Sequence, residues 1–118
     1  MNNNILYDKA LSFSIRIVNL FKYLNKNGEH IMSKQLLRSG TSIGANVSES
    51  VSAESTSDFI HKLAISQKET DETLYWLTLL HATDYLSDLE YASITDDCIE
   101  IRKLLVSIAT TLKKRNNS

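Results

Sequence analysis

No proline occurs anywhere in this chain, and its three glycines stand at positions 28, 40 and 44. All-β sandwiches and barrels turn every few residues and draw on these two residue types to do so, which nearly excludes them here. The same scarcity permits long helices, because proline is the residue that most reliably breaks one. A length of 118 residues corresponds to one domain with a sizeable core. Apolar residues at 42% and charged residues at 23% are ordinary for a globular chain and argue against disorder.

Hydrophobic spacing divides the chain into four helices. Over 5–26, Leu6, Ala10, Phe13, Ile17, Leu20 and Leu24 follow steps of three and four, the seam of a bundle helix. Asn27-Gly28 then supplies a left-handed stop. The second helix is expected over 31–53, with Leu36, Leu37, Gly40, Ile43, Gly44, Val47 and Val51 inward. Two mid-helix glycines cost about 1 kcal/mol each relative to alanine, so the pair points to close approach of a neighbouring backbone. The third helix is expected over 56–83, opened by a capping box of Ser55 and Asp58. Its inward stripe is Phe59, Leu63, Ser66, Thr70, Leu77 and Leu80. The fourth, over 88–114, follows Ser87 and Glu90, a second capping box, with Tyr91, Ile94, Cys98, Ile101, Leu105, Ile108 and Leu112 inward. Short connections make consecutive helices antiparallel neighbours. The expected fold is therefore all-α, an up-down-up-down four-helix bundle in one domain over 1–118, with rods of about 33 Å.

Some apolar surface is left over. Tyr7, Leu11, Ile15 and Val18 form a line about 120° from the core stripe of the first helix. The third helix carries a comparable line in Ile65, Trp76 and Leu79, interrupted by Glu72. A helix in a bundle touches two neighbours, which accounts for part of this width. The rest reads as a subunit interface, where Trp and Tyr are favoured anchors. On the second helix Arg38, Ser42, Ala45 and Glu49 share an outer line beside Asn46; most are small, and Arg38 and Glu49 are placed to pair or to bond across a contact. The expected interface is thus Tyr7, Leu11, Val18, Arg38, Ser42, Asn46, Glu49, Ile65, Glu72 and Trp76.

Chemistry is sparse. Asp58 and His61 make one half of the paired motif that bundle metal sites require, with no second copy. Cys98 falls at a core position without a basic neighbour and reads as a buried hydrophobe. Gly40-x-x-x-Gly44 lacks the P-loop lysine and reads as helix packing. Lys68 and Glu72 read as an intrahelical ion pair. No catalytic residue, metal, cofactor or small-molecule substrate is expected. Net charge is −1 and pI about 6.3, so no global field draws the chain to nucleic acid. Local cations are Lys9 and Arg16 on the first helix and Arg102 and Lys103 on the fourth; the densest cluster is Lys113-Lys114-Arg115. That cluster suits a nucleic-acid contact and equally suits a helix C-terminus. The chain shows no membrane span or signal-peptide pattern, and a soluble cytoplasmic protein is the expectation.

The segment from Gln35 to Ser50, QLLRSGTSIGANVSES, resembles the bacterial four-helix-bundle family that includes proteins encoded in intervening sequences of 23S ribosomal RNA genes. Tyr7-Asp8-Lys9-Ala10, Ser57-Asp58-Phe59, Lys62-Leu63-Ala64-Ile65, Lys68-Glu69 with Glu72-Thr73 and Tyr75-Trp76-Leu77, and Leu104 to Ile108 agree with it. Ser48, Ser50 and Ser66 depart from it, standing where alanine is more usual. The resemblance implies a bundle that assembles, typically as a ring of five. It also implies a distant likeness to the accessory protein of diversity-generating retroelements, which works with a reverse transcriptase and binds nucleic acid. The implied partners are other copies of the chain and RNA, DNA or a reverse-transcriptase-like protein. Arg38, Asn46, Glu49, Lys68, Glu72 and Trp76 match motif positions, with structural or interfacial roles implied. A protein-interaction scaffold that never touches nucleic acid is the alternative.

Overall fold

The computed structural model describes residues 3–116 and contains four helices, α1 (Asn3–Lys26), α2 (Met32–Ser50), α3 (Thr56–Ala82) and α4 (Asp88–Asn116). They pack in cyclic order, each against its chain neighbours, and α4 closes loosely back onto α1. The rod measures 51 × 23 × 20 Å. The expected all-α bundle is thus the observed one, with one shortened boundary. α2 stops at Ser50, because Val51, Ser52 and Ala53 bond three residues back to Ser48, Glu49 and Ser50 and tighten the chain out of the α-helix.

Local chemistry explains the other ends. Gly28 takes a φ of +88°, Gly28 N–H donates to Asn25 and Glu29 N–H to Leu24, so α1 ends in a Schellman motif. The same pair of bonds recurs after α3, from Asp84 to His81 and from Tyr85 to Leu80. There the left-handed residue is Asp84, with φ of 69°. Aspartate tolerates this region less well than glycine. Asp84→Gly is expected to raise stability by about 0.5 kcal/mol, a gain in Tm of about 2 °C by calorimetry. Both capping boxes form. Asp58 N–H donates to Ser55 Oγ at 3.0 Å, and Ser87 and Glu90 exchange reciprocal bonds of 3.0 and 3.1 Å. The bonds from Ser87 hold the Glu90 carboxyl below its ordinary range.

The core joins Leu6, Phe13, Ile17 and Leu24 to Leu36, Ile43, Leu63, Leu77, Ile101 and Leu105. Leu20, expected in this seam, is only half-buried, because it lines a cleft where α1 and α4 separate. The α2–α3 seam is closed with hydroxyls instead of bulky side chains. Thr73 and Ser39 share a 3.0 Å hydrogen bond, and Ser66 Oγ donates to Ile43 O at 2.9 Å, so these buried polar atoms are satisfied. Both α2 glycines serve packing, as their spacing suggests. A Cβ on Gly40 would lie 2.8 Å from Ile17, and one on Gly44 would lie 3.0 Å from Ser14 Oγ. Cys98 is fully buried among these side chains, and burial pushes its thiol up to about 12, which makes it an unreactive filler.

Candidate assembly and nucleic-acid-binding surfaces

The leftover stripe of α1 stays at the surface after the bundle has closed. Tyr7, Leu11 and Ile15 are 39, 48 and 55% exposed, and Val18 is half-buried. Beside them the outer face of α2 is made of small residues. Tyr7, Leu11 and Ser14 meet Thr41, Gly44, Ala45 and Ser48 in a shallow groove of about 310 Å³. Small side chains let another helix approach such a groove closely, while the larger α1 residues offer apolar area to bury.

The α2–α3 side is different. Arg38 bridges to Glu69 at 3.2 Å and to Glu72, and Glu72 also accepts the Trp76 indole N–H at 3.0 Å. Those two donors, the indole first and the guanidinium second, hold the Glu72 carboxyl below its ordinary range, while the carboxylates raise Arg38. Glu49 pairs with Lys62 at 3.3 Å. Arg38 and Glu49 are therefore both engaged by α3 and not by each other; eleven residues apart on one helix, they are separated by about 16 Å. The Lys68–Glu72 pair does not form either, because Glu72 turns towards Arg38 and Trp76. The Trp76 ring is half-buried in an edge contact with Tyr75, 5.2 Å between centroids, and Tyr75 is the more exposed of the two. Ile65, Ser42 and Asn46 are half-buried between these groups. Long-range partners of this kind, more than thirty residues apart for Arg38, leave no periodic signature in the chain.

Most of the sequence's scattered cations are spent inside the molecule. Lys9 pairs with Glu100 at 2.7 Å, Arg16 with Asp97 at 2.6 Å, and Arg102 with Asp71 at 2.7 Å. Arg16 also donates to the Ser93 carbonyl and hydroxyl. These pairs bridge the seams of α4 and leave a cleft of about 430 Å³ between Leu20, Leu86, Leu89 and Ile94. Lys113, Lys114 and Arg115 are exposed on the last described turn of α4. Among the described residues, no three His, Cys, Asp or Glu side chains gather as metal ligands. Nor is any described helix long and apolar enough to cross a membrane.

Fold and surfaces together define a small all-α bundle protein that presents faces rather than an enclosed site. Comparison with known proteins identifies which one. The model of the 23S rRNA-intervening sequence protein family matches residues 2–107, and the chain belongs to that family. It is similar to a crystal structure of a protein of unknown function from the S23 ribosomal protein family of Bacteroides thetaiotaomicron VPI-5482. The two share 54% identity at a TM-score of 0.91, over 93% of this chain and 99% of that one. Comparison with curated proteins found no match.

Proposed function

We propose that this protein is a non-catalytic bundle that assembles with copies of itself, as a ring of five, and acts as an adaptor for nucleic acid or for a protein that handles it. The observation that carries the assembly is the exposed line Tyr7, Leu11 and Ile15, which its own chain leaves uncovered beside a small-residue groove. The number five rests on the family resemblance. Nucleic acid is supported by that resemblance and by the exposed end Lys113-Lys114-Arg115. Repetition around a ring multiplies weak phosphate contacts through avidity.

Light scattering at micromolar concentration tests the assembly. The wild-type protein is expected at about five times the 13.3 kDa chain mass. Leu11→Glu, which places a charge in the apolar line, is expected to bring the mass towards that of one chain with helicity unchanged. Trp76→Ala is expected to shift it in the same direction. A wild-type monomer at that concentration overturns the reading. An intact oligomer with no salt-sensitive affinity for nucleic acid replaces the adaptor with a scaffold that acts on proteins alone.

A further inference from the structure

The charges of this nearly neutral chain are sorted along it. Residues 9–48 hold six cations, Lys9, Arg16, Lys22, Lys26, Lys34 and Arg38, and one acid, Glu29, whereas 49–100 hold twelve of the fourteen acids. Folding sharpens the contrast. Lys9, Arg16 and Arg38 are neutralised by acids on α3 and α4. The hairpin's one acid is buried, and its carboxylate accepts the N–H groups of Ile31, Met32 and Ser33. What remains at the closed end of the α1–α2 hairpin is Lys22, Lys26 and Lys34, all exposed and none in an ion pair among the described residues.

Position explains why these three form one surface. Lys22 and Lys26 are one turn apart on the outward side of α1, and Lys34 stands in the first turn of the antiparallel α2, turned outward and towards α1. Tyr23, 48% exposed, lies between the α1 lysines in sequence, and exposed His30 sits in the connecting turn. The arrangement opposes local helix electrostatics. Like charges four apart repel, and a lysine in a first turn faces the positive end of its helix; α2 has no acid there to compensate. A surface kept against its own folding preference points to a ligand that supplies the missing negative charge.

We infer that Lys22, Lys26 and Lys34, with Tyr23 beside them, form a binding surface for the phosphodiester backbone of single-stranded nucleic acid. This deepens the adaptor reading and rests on it, but it places the contact at the opposite end of the rod from Lys113-Lys114-Arg115. An unpaired strand is the fitting occupant because its phosphates track a row of cations and its free bases stack on an exposed ring. The apolar line lies towards the other end of the same outward face. Copies that associate through Tyr7 and Leu11 leave the lysines at the rim, repeated once per subunit.

The test is salt-dependent binding of a fluorescent 20-nucleotide oligouridylate to the full-length protein. Three proteins are compared: wild type, Lys22→Gln/Lys26→Gln/Lys34→Gln, and Lys113→Gln/Lys114→Gln/Arg115→Gln. Light scattering and circular dichroism check mass and helicity for each. Loss of three phosphate contacts is expected to flatten the plot of log affinity against log salt by about two for each bound subunit. Between 50 and 200 mM salt that is about a twentyfold difference. Tyr23→Ala, with every lysine present, is expected to weaken binding about five- to tenfold at unchanged slope. Unchanged affinity and slope in the hairpin variant overturn the inference. If binding then fails in the C-terminal variant, the adaptor reading survives on the other end. No binding by wild type removes both. Should the hairpin variant instead lose oligomer mass, the lysines serve an acidic surface of another copy and the inference is wrong. A single Lys26→Gln, least disruptive to the fold, is expected to flatten the slope by about one third as much, and it decides the matter if the triple variant does not fold.

Discussion

Gly40→Ala is expected to destabilise the bundle, and the same substitution is expected to stabilise it once Ile17 has been cut to alanine. A new Cβ at position 40 would lie 2.8 Å from both γ carbons of Ile17 and 3.0 Å from its δ carbon. Ile17 is fully buried and β-branched, so it has neither room nor rotamers with which to retreat. Overpacking of this kind costs about 1–3 kcal/mol, against which alanine recovers about 1 kcal/mol of helix propensity. The net loss is expected to be about 1 kcal/mol for alanine and well above that for Gly40→Val. Ile17→Ala alone opens a cavity and costs about 2–5 kcal/mol. In that background nothing obstructs the methyl group that Gly40→Ala introduces, and the propensity gain stands alone. A double-mutant cycle by urea unfolding at one protein concentration is expected to show coupling of about 2 kcal/mol. Additivity within about 0.5 kcal/mol would show that α1 and α2 have room to move apart, and that the glycine has another cause.

How far the molecule is legible in its residues follows the range of the forces involved. Steps of three and four place Leu6, Phe13 and Ile17, or Ile94, Ile101 and Leu105, on one side of a helix whatever surrounds them, and these residues form the core. The caps at Ser55 and Ser87 are equally local, since donor and acceptor are three residues apart. Gly40 and Gly44 are legible by their cost, which has no local compensation. Arg38 is not legible in this way. Its acids are set by the crossing of α2 over α3, and an acid elsewhere on its own helix was the only partner the spacing could offer. The cations show the same limit. Density along the chain singles out Lys113-Lys114-Arg115, yet Lys22, Lys26 and Lys34, spread over thirteen residues, converge only because a turn folds the hairpin and buries its one acid. The exposed line of Tyr7, Leu11 and Ile15 lies between these cases, since its separation from the core stripe follows from helix angle alone.

That buried acid carries the second large effect: Glu29→Ala is expected to cost about 2–3 kcal/mol and to loosen the α1–α2 turn before the rest of the bundle. Glu29 is only 6% exposed, and its carboxylate takes the role usually given to a short capping side chain. One oxygen accepts Ser33 N–H at 2.6 Å, and the other accepts Ile31 N–H at 3.1 Å and Met32 N–H at 3.2 Å. Ile31, the residue before the helix, makes no side-chain cap of its own. Ser33 completes the turn by donating its hydroxyl to the Glu29 carbonyl at 2.9 Å and accepting from Asn25 at 3.2 Å. Alanine at position 29 therefore strands three amide donors at once, one of them on the buried Ser33, and removes a negative charge from the positive end of α2. Glu29→Gln keeps one acceptor oxygen but turns an amide group towards backbone donors, so an intermediate loss of about 1–2 kcal/mol is expected. Urea unfolding gives the two magnitudes. Hydrogen exchange gives the location, with faster exchange expected at Ile31 to Ser33 than at the α3–α4 turn. Equal acceleration at both ends of the bundle, or a Glu29→Ala loss below about 0.5 kcal/mol, would mean that solvent caps α2 as well as the carboxylate does.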